Sequence, residues 1–330
     1  MTTHREIPHR ATTTHRATIA RRPAGEARPR WSVMIPTYNC GAYLRHTLES
    51  VLAQDLGPTQ MQIEVVDDGS TDDPRSLVEE VGRGRVGVHR QEHNVGHIRN
   101  FATCIERARG ELVHLLHGDD LVSPGFYTAL DRGFSSPTVG AAFCRWQLID
   151  HEGRTTSVAS ARQAVAGPMA DAVVRLAEEQ RIVTPSIVVR RAVYEELGGF
   201  DDRLVCAEDW EMWVRIAARF DVWYEPTVLA SYRMHTDSNT GRHQRGAEEL
   251  RYTALAIELF REQLPPKCAR SIVRRARRAY AATAVRNART YLTANDRSAA
   301  RAHLITALRL DPSPSTFLAA AKAVSLVFRR

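Results

Sequence analysis

Between residues 31 and 146, short apolar runs alternate with segments whose apolar positions recur every three or four residues. The runs indicate buried strands, and the recurring positions indicate helices that pack through one face. The predicted strands cover residues 31–35, 62–66, 85–89, 112–116 and 139–146. The predicted helices cover residues 41–54, 73–82, 96–108 and 124–131. This alternation is typical of an α/β fold in which helices flank a mostly parallel sheet.

The pattern weakens after residue 150 and then becomes helical. It predicts a strand over 186–189, a helix over 208–218 and two short strands over 222–224 and 228–232. From about residue 247 to residue 330 the apolar positions keep a helical period. We therefore predict three parts, which are a disordered basic segment (1–30), an α/β domain (31–240) and a helical C-terminal extension (241–330).

Charge and composition support this division. The chain is 43% hydrophobic and 25% charged, as is usual for globular proteins, but its net charge of +7 is unevenly placed. Residues 1–30 carry seven arginines against two glutamates, with too few large apolar side chains to offset the entropy of ordering. Residues 261–280 have a net charge of +6.

Several classes of protein are disfavoured by the same composition. The five cysteines form no C-x-x-C pair, so neither a zinc site nor a redox motif is indicated, and their wide spacing suits a reducing compartment. The N-terminal segment has no apolar stretch like that of a secretory signal. No uncharged apolar run reaches the roughly 18 residues that a transmembrane helix needs. We expect a cytoplasmic protein.

Two of the predicted strands are followed directly by paired carboxylates. Asp67-Asp68 ends the strand over 62–66, and Asp119-Asp120 follows the strand over 112–116. The carboxyl ends of parallel strands meet at one edge of an open sheet, and ligands bind there. Carboxylate oxygens suit a hard divalent cation, and such a cation suits a phosphorylated substrate.

Four motifs in a fixed order then point to a family. They are Pro36-Thr-Tyr-Asn39, Val66-Asp-Asp-Gly-Ser-Thr-Asp72, Asn94-x-Gly-x-x-Arg-Asn100 and Gly118-Asp-Asp120. Together they make roughly residues 31–240 resemble the family 2 glycosyltransferases of the GT-A fold. This resemblance implies a Rossmann-like, mostly parallel sheet flanked by helices. It also implies transfer of a hexosyl or related group from a nucleotide-sugar, with inversion at the anomeric carbon.

The resemblance assigns one set of residues to the nucleotide. Asp67 would accept a hydrogen bond from the imide of uracil, which favours a UDP-sugar. Arg99, near the start of a helix, would lie close to the anionic nucleotide. The remaining nucleotide-binding residues that it implies are Pro36, Thr37, Tyr38 and Asp119.

A second set would hold Mn²⁺ or Mg²⁺. Asp120 resembles the metal ligand of the family, and the cation would bridge the diphosphate. His235 follows Tyr-Arg-x and resembles a late histidine that many GT-A enzymes bring to the metal. His117 stands where many members have an aspartate. That departure leaves the number of ligands open, and a packed or exposed histidine at position 117 is the simpler interpretation.

A third set concerns the acceptor and the chemistry. Glu208-Asp209 resembles the Glu-Asp pair of the family, in which Asp209 would be the general base and Glu208 would contact the acceptor. Gly198 and Gly199 would bring the backbone close to the acceptor. No Gln-x-x-Arg-Trp follows Asp209. Because processive members carry that motif, we predict the transfer of one sugar per encounter.

The acceptor is expected to be a glycan or a lipid-linked molecule, as in the synthesis of cell-surface polysaccharide or glycolipid. The basic C-terminal helices either cap the core or contact the inner face of the membrane peripherally. Nucleic acid is not expected, because aromatic residues do not alternate with the basic ones.

Two alternative functions remain at this stage. The first is a non-catalytic member that binds a nucleotide-sugar without turnover. The second is a metal-dependent phosphohydrolase with an Asp-x-Asp-x-Thr loop, but Gly69 stands where that loop needs its second acid.

Overall fold

A computed structural model describes residues 15–23, 25–234, 243 and 245–327 of the 330-residue chain. The strands are β1 (Trp31–Thr37), β2 (Met61–Asp67), β3 (Gly87–Arg90), β4 (Leu112–Leu115), β5 (Leu121–Val122), β6 (Val139–Ile149), β7 (Thr155–Val158), β8 (Gly167–Pro168), β9 (Ile187–Arg190) and β10 (Asp221–Arg233). The helices are α1 (Gly41–Leu52), α2 (Pro74–Gly82), α3 (His97–Arg107), α4 (Phe126–Asp131), α5 (Ala172–Glu178), α6 (Arg191–Leu197), α7 (Glu208–Ala217), α8 (Glu248–Arg261), α9 (Ala269–Thr293), α10 (Arg297–Leu310) and α11 (Pro314–Val327).

These strands form one sheet in the order β3-β2-β1-β4-β9-β6-β10-β5, with β7 beside β6 and β8 beside β10. The neighbours among β3, β2, β1 and β4 are parallel, and so are β6 and β10. Strand β9 runs antiparallel to both β4 and β6. The predicted fold class, a mostly parallel sheet flanked by helices with a helical C-terminal region, is confirmed.

The sheet is buried on both faces. Val33 and Ile35 of β1 belong to one buried cluster, and Met34 between them belongs to another. Successive side chains of a strand point to opposite faces, so the two clusters lie on opposite sides of the sheet. All seven residues of β1 and of β2 are buried. This burial explains why these strands have continuous apolar runs instead of alternation.

The C-terminal strands differ most from the prediction. The short strands predicted over 222–224 and 228–232 are two halves of β10, which pairs with β6 along its whole length. The register of this pairing shifts between Glu225 and Val228, around Pro226. Because proline cannot donate a backbone hydrogen bond, it is tolerated at such an irregularity, and the strand continues beyond it.

Residues 15–22 pack against the α/β domain. Arg16 forms ion pairs with Glu211 at 2.9 Å and with Asp201 at 3.4 Å, and both carboxylates are fully buried. Ile19 is 2% exposed and lies in the cluster that contains Met34. The predicted disorder is therefore wrong for this part of residues 1–30, whose first 14 residues lie outside the described part of the chain. Ion pairs with distant acids, rather than a large apolar area, hold the segment in place.

The first two helices after residue 247, α8 and α9, share the core of the α/β domain. Ile257 and Phe260 of α8 and Ile272 of α9 are buried in the same cluster as Trp210 of α7. The rings of Trp210 and Phe260 have centroids 4.9 Å apart. The predicted division after residue 240 therefore cuts through this cluster, although a second, smaller cluster, which includes Ala284, Ala307 and Leu310, lies entirely within the C-terminal helices. Among the described residues, no helix is both long enough and apolar enough to cross a bilayer.

Candidate active site

A cleft of about 1220 Å³ opens at the carboxyl ends of β1 and β4, the edge of the sheet at which a ligand and a divalent cation were predicted to bind. The loops after these two strands form one wall. The N-terminal end of α7 contributes residues 206–209, and α8 and α9 form the opposite side. The residues that line the first wall are Pro36, Thr37, Tyr38, Asn39, Cys40, Tyr43, His117, Gly118 and Asp119.

The acidic turn after β4 forms a compact group with His117. Ligand atoms of His117, Asp119 and Asp120 all lie within 4.8 Å of one another. The turn packs tightly against β1, because a Cβ atom on Gly118 would lie only 2.8 Å from Oγ1 of Thr37. His117 stacks on Phe101, with ring centroids 5.3 Å apart. The histidine is therefore packed, as the simpler interpretation expected, and it also lies beside both carboxylates.

Two polar atoms of this group are buried and make no hydrogen bond of good geometry with the described residues, namely Oδ2 of Asp120 and Nε2 of His117. Oδ2 of Asp120 lies 3.4 Å from the other ring nitrogen of His117, Nδ1. The other carboxylate oxygen, Oδ1 of Asp120, accepts the backbone N–H of Arg233 at 2.8 Å. A buried carboxylate oxygen beside an imidazole ring, with a second carboxylate close by, fits a divalent cation, since Mn²⁺ accepts both ligand types.

The pKa values of Asp120 and His117 reflect their burial away from solvent. Burial raises the pKa of Asp120, and the neighbouring charge of Asp119 adds to the effect. Burial lowers the pKa of His117, but the hydrogen bond and charge of Asp120 outweigh it, so its pKa is raised overall. A cation would replace the missing stabilisation of the carboxylate charges.

Arg233 fixes the position of the acidic turn, a role that no sequence motif indicates. Its Nε donates to the carbonyl of Asp119 at 2.8 Å, and Nη1 donates to the carbonyl of Asp150 at 2.8 Å. Its guanidinium also lies over the ring of Tyr43, 4.7 Å from the centroid. The predicted ligand His235, two residues later, lies outside the described part of the chain and stays a prediction.

The predicted nucleotide-binding residues are only partly brought together. Pro36, Thr37, Tyr38 and Asp119 line the cleft, and Tyr38 is 40% exposed, so its ring is available for stacking. Arg99 does not line the cleft. Asn100 and Phe101 of α3 face inward, whereas Arg99 is exposed on the outer side of the helix. The helical phase therefore corrects the expected position of Arg99.

The two carboxylates after β2 also differ from expectation. Asp67 is buried away from the cleft, where it accepts the N–H of Ser70 at 2.9 Å and a hydrogen bond from Arg90 at 2.7 Å. Asp68 lines the cleft instead and accepts the N–H groups of Val95 and Gly96 at 2.7 and 3.0 Å. The carboxylate on the wall of the cleft is thus Asp68, one residue after the one predicted to contact the base.

Asp209 and Glu208 lie in the cleft at the start of α7. Asp209 accepts the side-chain N–H of Gln180 at 2.7 Å and the N–H of Trp210 at 2.7 Å. Burial, together with the charge of Glu208, raises the pKa of Asp209 to about 7. A carboxylate with such a pKa can remove a proton near neutral pH. Glu208 lies 3.5 Å from Nε2 of His97.

Gly198 and Gly199, which were expected next to the acceptor, do not line the cleft. The N–H of Gly199 donates to the carbonyl of Ala17 at 2.8 Å. Gly198 has a φ of +77°, and a Cβ there would lie 3.1 Å from the same carbonyl. Both glycines therefore permit the close approach of residues 15–22.

The side of the cleft opposite the acidic turn comes from α8 and α9, outside the part that the motifs cover. Its residues are Glu249, Leu250 and Thr253 of α8, and Ala279, Tyr280, Ala282, Thr283, Arg286 and Asn287 of α9. No local motif marks these positions, which the sequence presents only as parts of amphipathic helices.

Comparison with known proteins gives a consistent result. A sequence model of Glycosyl transferase family 2 matches residues 32–198, and one of Glycosyltransferase like family 2 matches residues 150–303. An uncharacterized protein of Mycobacterium tuberculosis is 35% identical over 223 residues, which cover 64% of this chain and 68% of that protein.

Two solved structures share the fold. Staphylococcus aureus TarS 1–349 in complex with UDP-GlcNAc has a TM-score of 0.59 at 16% identity, covering 85% of this chain and 91% of that chain. The mannosyltransferase PcManGT from Pyrobaculum calidifontis, in complex with GDP-Man and Mn²⁺, has a TM-score of 0.57 at 20% identity. That match covers 94% of this chain and 83% of that chain.

Proposed function

The chain belongs to glycosyl transferase family 2 and is a glycosyltransferase of the GT-A fold, and from this premise we propose that it transfers one sugar per encounter, with inversion, from a UDP-sugar to an acceptor hydroxyl. Membership of this family removes the phosphohydrolase alternative. One observation carries the proposal, namely that His117 and Asp119 of the acidic turn line the same cleft as Asp209, with Asp120 buried directly behind them. His117 and Asp209 are also close enough to interact electrostatically. The charge of His117 lowers the pKa of Asp209, although the effect of burial, which raises it, is larger.

In this proposal Asp120 and His117 hold Mn²⁺ or Mg²⁺, with Asp119 beside them. A divalent cation bound there supplies positive charge to the diphosphate of the leaving nucleotide. Tyr38 stacks on the base, and Asp209 accepts the proton of the acceptor hydroxyl as that oxygen attacks the anomeric carbon. UDP is favoured over GDP because TarS, which was solved with UDP-GlcNAc, is also 35% identical to this chain over 98 residues.

Titration calorimetry with UDP, GDP and TDP, with and without Mn²⁺, tests the donor side. We expect UDP to bind at least tenfold more tightly than the other two nucleotides, and Mn²⁺ to increase its affinity at least tenfold. Equal affinities would contradict the choice of UDP. Binding that is unchanged after removal of the metal by EDTA would contradict the metal site. Release of UDP from a panel of UDP-sugars would then identify the sugar.

We also propose a cytoplasmic enzyme that contacts anionic lipid through its C-terminal helices, as an enzyme of cell-surface polysaccharide or glycolipid synthesis would. A second cleft, of about 300 Å³, is lined by Arg261, Arg270, Arg274 and Arg277 beside Asp311 and Pro312. Shortly after it, Phe317 and Leu318 are 65% and 56% exposed. Clustered arginines next to exposed apolar side chains suit the surface of an anionic bilayer.

Flotation of the full chain with vesicles tests this contact. We expect binding to vesicles that contain phosphatidylglycerol and not to vesicles of phosphatidylcholine alone. Replacing Arg270 and Arg274 by Glu should reduce the bound fraction at least fivefold, because each basic side chain near the surface adds about 1 kcal/mol. Val165→Ser changes an apolar residue that is 72% exposed elsewhere and serves as the control. Equal binding of the arginine variant would refute the contact.

A further inference from the structure

The cleft is larger than a single small ligand requires. Its volume of about 1220 Å³ exceeds the roughly 300–1,000 Å³ of typical ligand sites. The residues proposed to bind the nucleotide and the cation lie on the loops after β1 and β4, and the proposed general base lies at the start of α7. The side formed by α8 and α9 has no role in these assignments, although it carries several polar groups.

Glu249 is the most unusual of these groups. Both of its carboxylate oxygens are buried, and among the described residues no side chain donates a hydrogen bond to them; the donors close to them are the backbone amides of Glu249 and Leu250. Burial raises its pKa to about 7, although the backbone amides of Glu249 and Leu250 act in the opposite direction. A desolvated carboxylate without a side-chain partner costs free energy in the absence of ligand. It is well suited to accept a hydrogen bond from a bound hydroxyl group.

The neighbouring turns of α9 provide hydrogen-bond donors. Arg286 lines the cleft and donates to Oγ1 of Thr283 at 2.8 Å, and the amide of Asn287 lines the cleft on the same helix. Acceptors on α8 together with donors on α9 match a ligand whose hydroxyl groups both donate and accept.

This side of the cleft is also connected to Asp209. The backbone N–H of Gln180 donates to the hydroxyl of Tyr280 at 3.2 Å, while the side chain of Gln180 donates to Asp209. The ring of Tyr280 lies 5.1 Å from that of Trp210, which follows Asp209 in α7. A ligand held against α8 and α9 therefore lies next to the proposed general base.

We propose that Glu249, Arg286 and Asn287 form a subsite for a neutral, hydroxyl-rich acceptor, in which Glu249 accepts a hydrogen bond from an acceptor hydroxyl. This inference rests on the proposed function, since it identifies the acceptor side of the same cleft. It assigns the selection of the acceptor to the helices after residue 247.

The test measures sugar transfer at saturating donor to p-nitrophenyl glycosides of glucose, galactose, mannose and N-acetylglucosamine. For any glycoside that the wild type uses, Glu249→Ala should raise the acceptor KM at least tenfold, with kcat changed less than threefold. Glu249→Gln keeps one accepting oxygen and should raise KM by a smaller factor. The UDP affinity and the slow hydrolysis of donor without acceptor should stay within twofold of the wild type.

Glu248→Gln is the matched control, because Glu248 pairs with His243 at 2.8 Å and does not line the cleft. An acceptor KM for Glu249→Ala within twofold of the wild-type value would overturn the subsite. Failure of the wild type to release UDP from every donor would instead contradict the proposed function. The two failures are therefore distinguishable.

A stability measurement tests Glu249 even without an acceptor. The charged or titratable groups that act on it are Glu248, Arg251, Cys206 and Tyr291. The pKa of Glu249 is about 7 in the folded protein and 4.5 ordinarily. As the pH rises from 4.5 to about 7, the carboxylate therefore destabilises the folded state progressively. Glu249→Gln should therefore gain melting temperature relative to the wild type between pH 5 and pH 8. A loss over the same interval would show a structural ion pair and overturn the proposal.

Discussion

Asp209→Asn is expected to lower kcat for sugar transfer by about 10²–10⁴-fold, the usual contribution of a general base. The amide has nearly the same shape but cannot take a proton from the acceptor hydroxyl. The affinity for UDP should remain within twofold, because Asp209 lies at the start of α7 and not among the loops assigned to the nucleotide. Steady-state kinetics together with titration calorimetry would measure both quantities.

Asp202→Asn is the control for this substitution. Asp202 precedes the same helix but is exposed and pairs with His15 at 3.0 Å, outside the cleft. It should retain full activity. A kcat for Asp209→Asn within tenfold of the wild type would remove Asp209 from the role of general base.

The raised pKa of Asp209 also sets the sign of the pH dependence. Below that pKa the carboxyl group is protonated and cannot act as a base, so kcat/KM should rise as the pH increases through neutrality. The hydrogen bond from Gln180 lowers the pKa of Asp209 against the larger effect of burial. Gln180→Leu should therefore move the rising limb to higher pH. A profile unchanged by this substitution would contradict the assignment.

Asp120→Ala is expected to abolish the part of UDP binding that depends on Mn²⁺ and to lower turnover by at least 10²-fold, since cation stabilisation of the leaving group is worth several kcal/mol. The substitution removes the buried carboxylate oxygen that lies 3.4 Å from Nδ1 of His117. Calorimetry with and without Mn²⁺ would separate the two contributions to UDP binding.

Asp120→Asn provides a second variant that keeps the acceptor for the backbone N–H of Arg233. It distinguishes loss of the cation from disruption of the turn, because both variants should lose the Mn²⁺ effect while the amide keeps the wild-type melting temperature. Asp131→Ala removes an exposed partner of Arg30 and should change neither quantity. Retention of the full Mn²⁺ effect in both Asp120 variants would place the cation elsewhere.

The features that could be predicted are those that depend on residues close together in the sequence. Strand ends, turn residues and their order along the chain led to the fold class and the family, and both are confirmed. The same local signals led to Asp209, Asp119 and Tyr38, which the structure places in one cleft and whose roles stay predictions. Asp67 and Arg99 show the limit of this approach. Whether a side chain faces the cleft or turns away from it depends on one residue of register or on the phase of one helix.

The less predictable features depend on contacts between distant residues. Glu249 and Arg286 reach the cleft because α8 and α9 pack against Trp210, and no spacing within those helices reveals their destination. Residues 15–22 are a second example. Their low hydropathy predicts disorder, and only the structure shows that Arg16 pairs with the buried carboxylates of Asp201 and Glu211. Glu211 follows Arg16 by 195 positions, so no local pattern connects the two.

The ion pair between Arg16 and Glu211 has a consequence for the order in which the protein assembles during synthesis. Its two members are separated by 195 positions. At a translation rate of about 5–20 residues per second, Arg16 leaves the ribosome roughly 10–40 s before Glu211 does. Throughout that interval the segment is an unpaired cationic strip beside a growing domain, and it can close over α7 only after most of the α/β domain has emerged. The first described residues of the chain can thus reach their native positions only after the α7 helix has emerged.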